Sequence, residues 1–170
     1  PRIEWTKNAN VLSAKILNRH QNNLDLLFVD GSNGATKIVL KETEKAYIDF
    51  IDKDNLTFLK DNSFIWKSEK DGFNHIYLYD KNGNLKSQVT KGNWEVTSYY
   101  GFDEKTKTIF YQSTENGSIN RDVYKITLDG KNKVRLTKND GTNEATFSPN
   151  FQFFINTFSS ASQPTTYTLN

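Results

Sequence analysis

Nucleophilic catalysis needs a hydroxyl or thiol beside a base, with a third group to orient the base. The chain has no cysteine and only two histidines, His20 and His75. His75 opens a strand at the position that Asp25 and Asp122 occupy in similar segments, so a hydrogen bond to a turn is its expected role. His20, in Arg19–His20–Gln21–Asn22–Asn23, reads as a solvated turn residue. Three carboxylate pairs are spaced for acid–base work: Glu42 with Glu44, Asp52 with Asp54, and Asp103 with Glu104. Each falls in a polar connection and is expected to be a solvated loop. Asp80–Lys81–Asn82–Gly83–Asn84 carries oxygens at alternate positions, as a calcium loop does. Leu85 stands where that loop needs glycine and the bidentate glutamate is missing, so a hairpin turn is expected and no metal site. Among the three tryptophans, Trp66 aligns with Tyr111 and is expected inside. Trp94, followed by Tyr99 and Tyr100, falls in a link between strands, and these three aromatics form the candidate binding surface. The sequons at Asn55 and Asn116 bear on glycosylation only in a secreted eukaryotic protein.

These residues must be positioned by 170 residues that are 25% charged and 35% hydrophobic, enough for one globular domain. The net charge of +2 is spread over mixed signs, which argues against a nucleic-acid partner. No window approaches the run of about 18 apolar residues that a membrane helix requires, and the first five residues do not read as a signal peptide. Twelve Phe, eight Tyr and three Trp, set among Asn, Asp, Gly and Ser, favour strands and tight turns. The expected class is all-β. Seven Asp-Gly or Asn-Gly dipeptides, ending at Gly31, Gly34, Gly72, Gly83, Gly117, Gly130 and Gly141, punctuate the strands. The stretch from Lys41 to Lys45 lacks an apolar helical face and reads as a link.

The strands recur as units. Phe64–Ile65–Trp66–Lys67–Ser68 followed by His75–Ile76–Tyr77–Leu78–Tyr79–Asp80 returns as Ile109–Phe110–Tyr111–Gln112–Ser113 followed by Asp122–Val123–Tyr124–Lys125–Ile126. Gly83 and Thr90 reappear 47 positions later as Gly130 and Thr137. Asp25–Leu26–Leu27–Phe28–Val29–Asp30 lies 50 positions before the second unit's hairpin, and Tyr167–Thr168–Leu169 lies 43 after Tyr124–Lys125–Ile126. A period of roughly 40–50 residues with four strands each marks β-propeller blades. The expected architecture is a partial β-propeller of four-stranded antiparallel blades, three complete and a fourth incomplete, forming one propeller segment over residues 1–170. The blades are expected at about residues 3–41, 47–92, 96–139 and 144–170. Three blades and a fraction do not close a ring, so a piece of a longer protein is expected.

The segment Phe-Ile-Trp-Lys-Ser-Glu-Lys-Asp-Gly-Phe-Asn-His-Ile-Tyr-Leu-Tyr-Asp at residues 64–80 closely resembles the strand–turn–strand of the dipeptidyl peptidase IV family. Lys91–Gly92–Asn93–Trp94–Glu95–Val96 is similar to that family's link between blades. Phe147–Ser148–Pro149–Asn150 and Pro164–Thr165–Thr166–Tyr167–Thr168–Leu169 resemble its last blade. The resemblance implies the later half of an amino-terminal propeller of eight blades that caps an α/β-hydrolase catalytic domain in the same parent chain. It further implies a serine exopeptidase that releases dipeptides with proline or alanine in second position from peptide substrates. No cofactor is implied. The family's Gly-x-Ser-x-Gly nucleophile motif is absent here, and its triad Asp and His lie beyond this segment. Its substrate-amine glutamates lie on an earlier blade. The counterpart of its substrate-reaching arginine, Tyr47–Ile48–Asp49–Phe50, holds no arginine. No catalytic residue is therefore assigned. The Asn- and Lys-rich composition points to a bacterial member, and the resemblance to a periplasmic, cell-surface or secreted location with a homo-oligomeric state. The competing expectation is a stand-alone peptide- or glycan-binding propeller that closes by oligomerisation.

Overall fold

The computed structural model describes residues 2–48 and 55–170, and among them every regular element is a strand. The strands fall into four antiparallel sheets, each assembled from strands consecutive in the chain. The first holds β1 (Arg2–Trp5), β2 (Val11–Leu17), β3 (Asn23–Asp30) and β4 (Thr36–Thr43). The second holds β5 (Leu56–Phe58), β6 (Phe64–Ser68), β7 (His75–Tyr79) and β8 (Leu85–Gln88). The third holds β9 (Val96–Asp103), β10 (Thr108–Ser113), β11 (Asp122–Thr127) and β12 (Val134–Arg135). The fourth has three strands, β13 (Thr142–Phe147), β14 (Phe154–Ser160) and β15 (Gln163–Leu169). Successive meanders of this kind are propeller blades, so the architecture is a partial β-propeller with three four-stranded blades and a three-stranded fourth.

The burial patterns show why these residues pair as they do. Every residue of β6 and β7 is buried, so both faces of these middle strands are withdrawn from water. Edge strands β8 and β12 are exposed to half-buried, and their Lys86 and Arg135 discourage further pairing. Six of the seven glycines in the turn dipeptides take a positive φ; Gly31 does not, because Gly34 closes that turn instead.

By compactness the chain divides into two units, Pro1–Lys70 with Tyr77–Lys86, and Asp71–Ile76 with Ser87–Asn170. The first unit packs Leu24, Leu26, Phe58, Phe64 and Trp66 into one core, each at 6% exposure or less. Phe64 stacks on Tyr79 with ring centroids 5.3 Å apart. Each such side chain contributes about 1.5–3 kcal/mol through burial. Gly83, at the β7–β8 turn with φ of 88°, lies so close to the Val39 carbonyl that an added Cβ would sit 1.6 Å from its oxygen. Only glycine fits there.

The second unit is built round aromatic contacts, among them Phe110 stacked on Phe151 at 4.8 Å. Two equivalent locks recur in it. The Ile76 N–H donates to Thr90 Oγ1 at 2.9 Å, and the Val123 N–H donates to Thr137 Oγ1 at 3.1 Å. In the same places the Val89 N–H donates to the Ile76 carbonyl and the Leu136 N–H to the Val123 carbonyl, both at 2.8 Å. The 47-residue repeat is therefore a repeat of hydrogen bonds as well as of letters.

One expectation fails here. Glu42 is not in a solvated connection, because β4 runs on through Lys41 to Thr43 and turns alternate residues toward the interior. Its carboxylate accepts the indole N–H of buried Trp66 at 2.8 Å, the partner a buried indole requires. Burial pushes the Glu42 carboxyl above the usual range, against hydrogen bonds from Ser68 and Trp66 and the charge of Lys70. Asp103 ends β9 and caps its turn, accepting the Lys105 N–H at 3.0 Å and the Thr106 hydroxyl at 2.7 Å. Asp52 and Asp54 lie outside the described residues. Asp80 closes a hairpin turn, taking the N–H groups of Asn82 and Asn84 at 2.8 and 2.9 Å. Asn55 is buried, and its side-chain oxygen accepts from Lys15 at 2.8 Å.

Candidate functional site

Within the second unit, the β6–β7 turn, the link after β8 and the β10–β11 turn enclose a cleft of about 450 Å³. Trp94 forms part of its wall and is set in place by four neighbours. Its indole stacks on Tyr111 at 6.4 Å, with the planes within 10°, and Tyr111 stacks in turn on Tyr124 at 5.6 Å. The imidazole of His75 meets Trp94 edge-on at 5.0 Å. Gly92 gives the indole room: a Cβ there would lie 2.2 Å from Trp94 Nε1. Finally, the Lys133 ammonium lies 5.7 Å from the Trp94 ring and is paired with Glu115.

His75 plays the part expected of it. Its Nε2 lies 3.0 Å from the Gly92 carbonyl, which can only accept, so Nε2 carries the proton. Nδ1 then accepts from the Thr90 hydroxyl at 3.2 Å, which leaves that oxygen free to take the Ile76 N–H. Both ring nitrogens are committed, and the imidazole is 2% exposed. It positions Trp94 and moves no proton. His20 is exposed in the turn between β2 and β3.

Glu95 is anchored through its backbone, which exchanges N–H···Oγ1 and N–H···O=C bonds with Thr114, each 3.1 Å. Glu95 and Glu115 are both among the residues that line the cleft, and Phe73, 39% exposed, supplies a second aromatic wall. Burial, with the Glu115 charge behind it, pushes the Tyr111 phenol well above its usual range. The same causes, with Asp122 ahead of Glu115, raise Tyr124 to about 12.

The other two candidate aromatics are placed differently. Tyr99 lies opposite Tyr111 in the β9–β10 register, while Tyr100 is the extra residue of a bulge between Tyr99 and Gly101. The Tyr100 hydroxyl accepts the Ala145 N–H at 3.1 Å and its ring packs on Phe147 at 5.5 Å. Burial raises this phenol to about 12. Of the three candidates, Trp94 alone lines the cleft. Phe73, Glu95 and Glu115 join it there. The sequence held their signal only in the Trp94–Glu95 dipeptide; nothing in it joined Phe73 or Glu115 to that pair. The cleft's lining thus joins two aromatic rings, two glutamates and the hydroxyl residues Thr114 and Ser118.

Across known families, the chain matches the model described as the dipeptidyl peptidase IV (DPP IV) N-terminal region over residues 1–165. It belongs to that family. A dipeptidyl peptidase IV relative, the "probable dipeptidyl peptidase 4" of Aspergillus flavus, is 29% identical over 176 residues, covering 95% of this chain and 22% of the relative. The dipeptidyl peptidase 4 of Arthroderma otae is 41% identical over 64 residues, covering 38% of this chain and 8% of its own. The crystal structure of Porphyromonas gingivalis dipeptidyl peptidase 4 superposes with a TM-score of 0.90 at 43% identity, over 99% of this chain and 24% of that one. This dipeptidyl peptidase IV segment thus spans about a quarter or less of the relatives it matches. Of Tyr47–Ile48–Asp49–Phe50, the expected counterpart of the family's substrate-reaching arginine, the structure describes the first two, and the Ile48 N–H donates to the Gln21 carbonyl at 2.6 Å. Asp49 and Phe50 lie outside the described residues.

Proposed function

We propose that the chain is the non-catalytic propeller segment of a dipeptidyl peptidase IV-like serine exopeptidase. In that reading its four sheets are consecutive blades of one domain that gates an α/β-hydrolase site in the same parent chain. The parent releases dipeptides with proline or alanine in second position from peptide amino termini, in the periplasm or at the surface of a bacterium. The observation that carries the reading is the superposition on the Porphyromonas gingivalis enzyme over 99% of the chain at 43% identity. One further feature supports it: the chain holds no Gly-x-Ser-x-Gly motif. No helix among the described residues is long and apolar enough to cross a membrane. The test is the parent reading frame together with its protein. A frame that runs past Asn170 into Gly-x-Ser-x-Gly, then Asp and His, with hydrolysis of a Gly-Pro chromophore by the parent and none by the 170-residue chain, is the expected result. A frame that stops at Asn170, or turnover by the chain alone that a serine-directed inhibitor abolishes, overturns it.

We also propose that the chain on its own self-associates. Ile3, Ala14, Leu27 and Ile38 pair in register across all four strands of the first sheet, forming an apolar row on one face. Ile3 is 62% exposed and Ile38 48%, and Trp5 beside them is 65% exposed. Soluble monomers seldom leave such a patch uncovered.

A further inference from the structure

The Trp94 cleft combines aromatic walls with two carboxylates, and no lysine or arginine is among its lining residues. We propose that it is a subsite for a basic side chain, arginine above all, of an extended peptide. This rests on the cleft's geometry and stands whether or not the parent protein is a peptidase.

The molecule already holds one cation by the same chemistry. Lys133 places its ammonium against Glu115 Oε1, 5.7 Å from the Trp94 ring. That pairing leaves Glu115 Oε2 buried without a partner. The Glu95 carboxylate likewise has no partner among the described residues. Two carboxylates against one lysine leave a net negative charge in a recess, where a second cation is attracted more strongly than at an open surface. Arginine fits better than lysine, since its planar fork can donate to two carboxylate oxygens at once while its face lies on an aromatic ring. Phe73 and the outward part of Trp94 offer that ring surface. A hydrated metal ion suits the cleft poorly, because metals of this kind seek several oxygen ligands and the walls here are aromatic. A neutral sugar, in turn, gains nothing from the net negative charge of the cleft.

The test is an NMR titration of the 170-residue chain with acetyl-Ala-Arg-Ala-amide, reading the Trp94 indole N–H and the amides of Gly72 and Gly117. The matched peptide with citrulline removes the charge and keeps the shape. A saturable shift with Kd in the millimolar range is expected, about tenfold weaker for citrulline, and weaker again in about 0.5 M NaCl. Glu95→Gln should weaken arginine binding about fivefold or more, because a neutral amide replaces the charged acceptor. It leaves the backbone bonds with Thr114 intact, so unchanged cross-peaks away from the cleft confirm that the variant is folded. The proposal is overturned by the absence of a saturable shift up to about 20 mM peptide. Equal affinity for citrulline, an unchanged Kd in folded Glu95→Gln, or the same shifts with calcium chloride or cellobiose alone would overturn it too. None of these outcomes bears on the peptidase reading, which the parent reading frame decides.

Discussion

Replacing Thr90 by valine tests whether the hydrogen-bond lock, rather than apolar burial alone, holds the second sheet's outer edge. The Thr90 hydroxyl serves two groups at once, accepting the Ile76 N–H at 2.9 Å and donating to His75 Nδ1 at 3.2 Å. All three residues are at most 2% exposed, so water cannot take over either bond. Valine keeps the shape and orphans both groups, at about 1–3 kcal/mol each, and its extra buried methyl returns about 0.8 kcal/mol. With partial relaxation the net loss is roughly 2–3 kcal/mol, a large share of the 5–15 kcal/mol typical of a domain. In urea, with a slope of about 2–3 kcal/mol/M, the midpoint should fall by about 1 M, followed by tryptophan fluorescence and circular dichroism. Thr90→Ser keeps the hydroxyl and loses one methyl, so its cost should stay near 1 kcal/mol. Thr137→Val should cost more than Thr90→Val. It orphans the Val123 N–H and also strips a donor at 2.9 Å from the carboxylate of Asp122, which is 0% exposed and left with Arg135 and Asn143. A Thr90→Val midpoint within about 0.2 M of the parent, or a serine variant as unstable as the valine one, would refute the reasoning.

Gly83→Ala should cost about 3 kcal/mol or more, since both its positive φ and the Val39 carbonyl exclude a Cβ, whereas Gly130→Ala, whose nearest atom is 3.2 Å away, should cost about 1 kcal/mol. Equal losses on thermal melting would contradict this. The carboxyls of Asp30, Asp80, Asp103 and Asp129 are held below their ordinary value of 3.8, chiefly by side-chain hydrogen bonds from Ser32, Asn84, Thr106 and Thr127. The folded state binds these protons more weakly, so the stabilisation is complete above about pH 3.8 and is lost as pH falls through the depressed values. Replacing Asp80, Asp103 and Asp129 together by Asn should flatten the fall in melting temperature between about pH 4 and 2, and an unchanged slope would exclude the turn-cap account. Glu42 has the opposite sign: its raised folded value makes stability decline as pH rises from 4.5 through that value, so Glu42→Gln, which can still accept the Trp66 N–H, should melt at or above the parent at neutral pH. A marked drop would show that the charge itself is needed. Self-association should appear in light scattering, and Trp5→Glu with Ile38→Glu should abolish it; a strict monomer at high concentration sinks that proposal.

The strands were legible because two independent signals coincide in them. Phe64 to Ser68 and His75 to Tyr79 are aromatic and β-branched, and they recur in order, so composition and repetition point to the same hairpin. Glu42 was misread because a strand's last turn of alternation cannot be seen in Lys41–Glu42–Thr43–Glu44. Those letters are as polar as any loop, and only Trp66, 24 positions away, explains why one of them is turned inward. His75 was read correctly for a related reason: the repeat supplied Asp25 and Asp122 as equivalents, and a position that accepts both His and Asp is defined by hydrogen bonding rather than by chemistry peculiar to imidazole.

The cleft was least legible because it lies where the repeat loses its period. Trp66 and Tyr111 are 45 positions apart, yet His75 and Asp122 are 47 apart, so the turn between β10 and β11 is two residues longer than the turn between β6 and β7. At the 45-residue offset Gly117 still answers to Gly72, but Glu115 answers to Lys70, a residue of opposite charge, so the repeat gives no hint of a carboxylate there. Core positions repeat because every blade must solve the same packing problem, while a turn between strands faces no such demand and can vary in length at little entropic cost. A side chain that serves binding rather than packing is therefore free to arise in the turns, and Glu115, pairing with Lys133 from another connection and standing behind Tyr111, arose in one. If the arginine subsite exists, shortening the β10–β11 turn by two residues to the length of the β6–β7 turn should remove peptide binding while leaving the Thr137 lock and the urea midpoint nearly unchanged. Loss of both together would show that the longer turn belongs to the packing and not to a binding site.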